Sequence, residues 1–335
     1  MLTRAQRTFY AQLPAWAQPD NAVLRYMLQR GQFQRHRGLR WIAWLGGAVV
    51  MLALLALSWG ALDAGDPLLM RDPAASRLYT ALYFPLLVLQ FVALMVALLA
   101  VSGTVSGERQ RGTWEAFLIT SHGAELVMRA RWAAVFYQMR WLLALLLIPR
   151  VMFAGRMLAD LTEHNGYQLD LYLSGITPQV PLEIGVIMLA ALMTAALLQV
   201  LVLVGLNAAV GLLISALFDR RGATLLARLM VFLVEVAVFG LALRAGHTVL
   251  DGDPLALAAG NGSMAVRWMD LMLMGALGDQ SLRFMDLRTF LQTWADVHYG
   301  VLLGGALLVA VLAQVALTNA LIDVAARRAS RPRRE

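Results

Sequence analysis

The sequence predicts an all-α integral membrane protein. Six transmembrane helices are expected, with an N-terminal amphipathic helix at the interface and short re-entrant helices between the fifth and sixth spans. Three observations carry this. Of 335 residues, 60% are hydrophobic and only 15% charged, against about 25% charged in soluble domains. Mean hydropathy is +0.65. Apolar runs recur at roughly 20 residues, the length that carries a helix across a hydrocarbon core. Finally, the arginines collect in alternate segments between those runs.

Taken in order, residues 1–40 form a cytoplasmic and interfacial segment. Within it, "NAVLRYMLQRGQFQRHRG" at 21–38 puts Val23, Leu24, Met27 and Leu28 on one helical face and Arg25, Gln29 and Arg30 elsewhere, the pattern of a helix lying in the headgroup plane. The first 40 residues lack the short apolar core and small-residue cleavage site of a signal peptide. The membrane domain covers 41–321, with spans at about 41–62, 78–102, 132–155, 181–217, 225–245 and 296–321. A basic cytoplasmic tail, 322–335, follows. The fourth run is long for a plain crossing: at 1.5 Å per residue it reaches about 55 Å, against roughly 30 Å of hydrocarbon. It must tilt, bend or project. Gly205 and Gly211 in "GLNAAVG" serve either as bend points or as close-packing points. Between the last two spans, "SMAVRWMDLMLMGALGDQ" is too apolar for free solvent and too short to cross, so it reads as one or two helices dipping into the outer leaflet.

An even number of spans puts both termini on one side. With the termini cytoplasmic, the inside segments hold eighteen arginines and the outside segments six, over similar lengths of about 90 residues. That bias follows the positive-inside rule. The net charge of +7 is thereby assigned to topology and anionic lipid headgroups rather than to nucleic acid. Composition excludes further chemistry. There is no cysteine, hence no disulfide or thiolate site. All 28 basic residues are arginine, so the Gly-Lys-Ser/Thr of a P-loop cannot occur. No His-Glu-x-x-His zinc motif is present, and Glu163 and His164 in "TEHNGY" read as a solvated loop.

One segment between the second and third spans is unlike a simple connection. "SGERQRGTWEAFLITS", 106–121, places Glu108, Arg109 and Arg111 before Gly112, Thr113 and Trp114. Gly107 and Gly112 allow tight turns. Thr113 can cap a helix whose apolar face is Trp114, Phe117 and Leu118, and Thr120 or Ser121 can cap the next. A charged turn followed by a short aromatic helix is suited to docking, with the aromatic filling a groove and the charges fixing its orientation.

This loop resembles the first cytoplasmic loop of type-2 ATP-binding-cassette exporter permeases, bacterial membrane subunits in which Glu-Arg-Glu-x-Gly-Thr-hydrophobic-Glu leads to a Thr-Pro turn and a Gly-Lys. Glu108, Arg109, Gly112, Thr113 and Glu115 match. Gln110 replaces the second acid, Ser121 the proline, and Arg129-Ala130-Arg131 stands near the Gly-Lys. Three further stretches resemble the family in the same order: "NAVLRYMLQR" at its Asn-Pro-Val-Leu start, with Ala22 for proline; "LLLIP" ending at Pro149; and "GLLISALFDRR" at the close of the fourth span. The resemblance covers the first two-thirds of the chain. It implies a cytoplasmic coupling helix, with Glu108, Arg109, Gly112, Thr113, Trp114, Glu115 and Phe117 meeting a separate ATPase subunit. It also implies a second permease subunit, identical or paralogous, and export through the bacterial inner membrane. No cofactor belongs on this chain, ATP and Mg being held by the partner, and no covalent chemistry is implied. Two other classes fit the hydropathy: a membrane-embedded enzyme acting on lipid or peptide, for which no convergent catalytic residues are found, and a non-transporting membrane scaffold.

Inside the spans, Arg140 and Glu235 fall at similar depth. Charges in hydrocarbon pair or line a cavity, so they are expected either to form a buried ion pair that sets helix register or to belong to a substrate path. Gln138, Gln199, Asn207 and Gln314 are expected to hydrogen-bond between helices.

Overall fold

The computed structural model describes residues 12–19, 21–29, 74–110, 112, 114, 123–218, 221–250, 264–278, 280–285 and 297–330. The expected first span, 41–62, lies outside them. Every regular element among the described residues is helical: α1 (Ala22–Gln29), α2 (Ala74–Val101), α3 (Thr104–Gln110), α4 (Gly123–Ser174), α5 (Leu182–Leu217), α6 (Arg221–Leu250), α7 (Met264–Met272) and α8 (Leu303–Ala329). A π-helical turn (Leu273–Leu277) and a 3₁₀ turn (Ser281–Met285) follow α7. Five stretches are long and apolar enough to cross a membrane: Leu82–Arg109, Gly123–Ala159, Leu182–Leu217, Gly222–Gly246 and Gly300–Ala329.

Helix α5 is the central element, packed against α2, α4 and α8. Its glycines are contact points. A Cβ at Gly211 would stand 2.7 Å from the Leu98 carbonyl of α2, and one at Gly205 would stand 3.0 Å from the Trp132 ring. Trp132 Nε1 also donates to Gly205 O at 2.8 Å. On α8, a Cβ at Gly304 would collide with the Met188 carbonyl of α5. Small residues let helix backbones approach where apolar surroundings give little drive to associate.

Helix α4 is longer than any crossing needs. Trp132 and Leu173 of α4 meet Gly205 and Gly185 of α5. Between these contacts α4 advances some 40 residues, about 60 Å, while α5 advances some 20, about 30 Å. A straight, parallel α4 is therefore impossible. Pro149 inside the helix removes a backbone hydrogen bond, and Gly166 takes φ +81°. These are the places where it can turn.

Exposure along α4 changes character near Trp141. Before Trp141 the exposed side chains are Glu125, Gln138 and Arg140; after it they are mostly apolar, Leu145, Ile148, Val151, Met152 and Leu158, with Arg156 exposed among them. Outward-facing apolar groups suit hydrocarbon and are concentrated in the second half of the stretch Gly123–Ala159, which contains the expected 132–155. The turns before Trp141 are covered by protein. Leu24 of α1 is fully buried in a cluster with Ala133 and Ala134, Tyr137 donates to Ala17 O at 2.8 Å, and Trp16 meets Trp132 edge-on. Helix α1 starts at the Asn21 carboxamide, which accepts from Val23 N at 2.9 Å and Leu24 N at 3.3 Å, a side-chain N-cap.

The last helix is displaced. It begins at Leu303, and the expected tail 322–335 starts as two further helical turns, with Ile322, Ala325, Ala326 and Ala329 buried. Their spacing of three and four residues is one helical face.

Candidate functional site

Two clusters of polar chemistry stand out. One is at the end of the bundle where α2, α5 and α8 finish and α4 begins; the other is near its middle.

At the first, α3 turns off from α2. Ser215, in the last turn of α5, accepts at Oγ from Val105 N at 2.8 Å and Ser106 N at 3.3 Å. Another helix thus satisfies two of the amides that every helix start leaves open. Gly107, expected in a turn, lies within α3, whereas Gly112 takes φ +69°, a backbone conformation that suits a turn. Thr113, Glu115 and Phe117 lie outside the described residues. Trp114, expected to project into a partner, is only 4% exposed. Its Nε1 donates to Ala329 O at 3.0 Å, and Arg109 Nη2 donates to the same oxygen at 3.2 Å. The Arg131 guanidinium lies over the Trp114 ring, 5.3 Å from its centroid, with Glu108 as its charged neighbour. An indole has one donor and a large apolar body. Here the chain's own last helix supplies the acceptor and Arg131 of α4 lies over the ring, so the anchor is turned inward. Nearby, Arg129 Nη2 bridges Glu125 at 3.1 Å and Asp323 at 3.2 Å.

Arg140 and Glu235 are not brought together among the described ion pairs. Arg140 is exposed at the edge of the apolar band, its guanidinium 5.5 Å from the Trp141 ring centroid. Such an Arg-Trp pair suits a membrane interface. Glu235 faces Asn207 of α5. Helix α6 packs chiefly on α7, the π turn and α5, and α4 on α2, α5 and α8; direct packing of α4 on α6 is not among the main contacts.

The charge at the middle of the band is Arg150, which the sequence reading passed over. It is 1% exposed. Its Nη1 donates to Ala196 O of α5 at 2.7 Å and its Nη2 to Gln90 Oε1 of α2 at 2.5 Å, so one side chain ties three helices. One turn further along α5, Gln199 Nε2 donates to Ala276 O at 2.7 Å and to Gln314 Oε1 at 3.0 Å, and Gln314 Nε2 donates to Ala276 O at 2.5 Å. Ala276 belongs to the π turn, and Gln314 is near the midpoint of α8. The segment between α6 and α8 therefore reaches the middle of the bundle. Gln280, fully buried, accepts from the Tyr83 hydroxyl at 3.4 Å. With the third span placed at 132–155, Arg150 stood near its outer end and Arg140 within it. In the structure the exposed apolar side chains Leu145, Ile148, Val151 and Met152 lie on both sides of Arg150, and Arg140 precedes them.

An apolar cleft of about 190 Å³ lies between α4, α5 and α8, lined in part by Trp132, Phe136, Gly205, Val315 and Thr318. No cluster of metal-ligating side chains occurs among the described residues.

The class defined by this fold is an all-helical, multi-pass membrane protein, with apolar side chains facing outward along five long helices. Comparison of the chain with known protein families, with curated proteins and with solved structures finds no match.

Proposed function

We propose that the chain is the membrane-spanning permease subunit of an ATP-binding-cassette exporter of the type-2 superfamily, working with a separate cytoplasmic ATPase and a second permease subunit. The observation that carries this is the ordered set of four sequence stretches, centred on Glu108, Arg109, Gly112, Thr113 and Glu115. Two structural facts support it. The loop is joined to the ends of three long helices, α4, α5 and α8, which is where a push from a cytoplasmic subunit would be useful. Arg109, Arg129, Arg131 and Arg327 gather at the same end, in keeping with cytoplasmic termini and an inner-membrane location.

In this reading, ATP-driven closure of the ATPases displaces the loop, and the spans rock to open an outward path. ATP and Mg stay on the partner. With Trp114 enclosed, Glu115 and Phe117 are the residues of the resemblance left as candidates for the contact with the partner. Co-purification from membranes tests this. A P-loop ATPase should accompany the wild-type chain, and Glu115→Ala with Phe117→Ala should release it without changing the melting temperature of the permease. Purification without any ATPase would return the chain to the scaffold and enzyme alternatives.

A further inference from the structure

Ala329 O is one of the carbonyls that the end of α8 leaves without an intrahelical donor. Two donors from a loop more than 200 residues earlier converge on it: Trp114 Nε1 at 3.0 Å and Arg109 Nη2 at 3.2 Å. A cation at a helix C-terminus is also favoured by the helix dipole. Arg131 covers the indole, and Ser215 holds the start of α3 to α5. From Ala329, α8 runs unbroken to Gln314, about 22 Å along its axis. There Gln314 grips the carbonyl of Ala276. One unbroken helical stretch thus has the loop at its C-terminal end and the π turn bonded near the middle of α8.

We propose that Trp114 and Arg109 are positioning residues that latch the loop to α8, so that α8 carries displacement of the loop to the 273–285 segment. What moves the loop rests on the permease reading; the latch itself does not. It gives Trp114 a task inside the chain in place of a contact with the partner.

The cysteine-free sequence makes the test direct. Ser330 and Leu277 are both exposed, and Ser330→Cys or Leu277→Cys accepts a nitroxide label as the sole thiol. In the permease alone, reconstituted in nanodiscs, Trp114→Phe keeps a ring and removes the donor. The label at 330 should become at least twofold more mobile by electron paramagnetic resonance; unchanged mobility overturns the latch. If Trp114→Phe does not fold, Arg109→Met removes the second donor and is read in the same way. With the co-purified ATPase and a non-hydrolysable ATP analogue, the label at 277 should change its spectrum in the protein with a native loop and not in Trp114→Phe. An equal response in both overturns transmission through α8. If no ATPase binds the wild-type chain, the permease reading fails, and the label at 330 alone decides whether the latch stands.

Discussion

Two carbonyls, Ala329 O at the basic end and Ala276 O in the middle of the bundle, meet the same need by different chemistry. Each lies at the end of a helical turn, and each receives two side-chain donors from elsewhere in the chain. At Ala329 the donors are an indole and a guanidinium; at Ala276 they are two neutral carboxamides. The difference follows from surroundings. At the basic end Glu108, Glu125 and Asp323 are at hand to balance arginine. Within the apolar band a charge must be enclosed and supplied with partners. Arg150, one turn of α5 from the Ala276 clamp, shows what that takes: enclosure to 1% exposure and bonds to two other helices. Glutamine provides donors at that depth without the cost of a charge.

The strongest way to break the comparison is to move the charged solution inward. Gln314→Arg should cost at least about 3 kcal/mol, and little folded protein should survive detergent extraction. Normal yield and melting would mean that the middle of the bundle tolerates charge and that the choice of glutamine has another cause. The next effect comes from removing the clamp. Gln199→Leu with Gln314→Leu leaves Ala276 O without either side-chain donor, a loss of about 2 kcal/mol that thermal unfolding in nanodiscs should register. At the basic end Trp114→Phe removes one donor of two, so the same assay should show about 1 kcal/mol. The smallest effect belongs to the surface ion pair. Asp323→Asn leaves Arg129 with Glu125, and stability should fall by less than about 1 kcal/mol, with the difference shrinking as salt rises. A larger loss would place Asp323 inside the network that the latch belongs to.

How much of this was legible in the sequence depends on the kind of signal. Sustained apolar runs located the second, fourth and fifth long helices closely: 78–102 against Ala74–Val101, 181–217 against Leu182–Leu217, and 225–245 against Arg221–Leu250. A run of that length has few other solutions, because backbone amides in hydrocarbon must bond within the helix. Glycine at 112 was legible as a turn for a local reason, since a positive φ costs glycine nothing. The third run, 132–155, lies inside the longer helix Gly123–Ser174, and the sixth, 296–321, overlaps Leu303–Ala329, so the ends of those two helices were not legible. Residues 133 and 134 are packed under α1, and 322–329 carry Asp323, Arg327 and Arg328 yet continue as helix with one buried face; hydropathy reports neither cover by protein nor the continuation of a helix past its apolar run.

The sequence by itself determined the class: helical, with repeated long apolar helices and arginine gathered in alternate connections. Those properties come from composition and period, which any arrangement of the helices preserves. Only the tertiary structure decided which polar groups work together. It left Arg140 and Glu235 without an ion pair between them among the described residues, brought Arg150 to Gln90, and joined Trp114 to a carbonyl more than 200 residues away. A hydrogen bond needs its two atoms within about 3 Å, and spacing along the chain carries no such distance once helices can pack in more than one order.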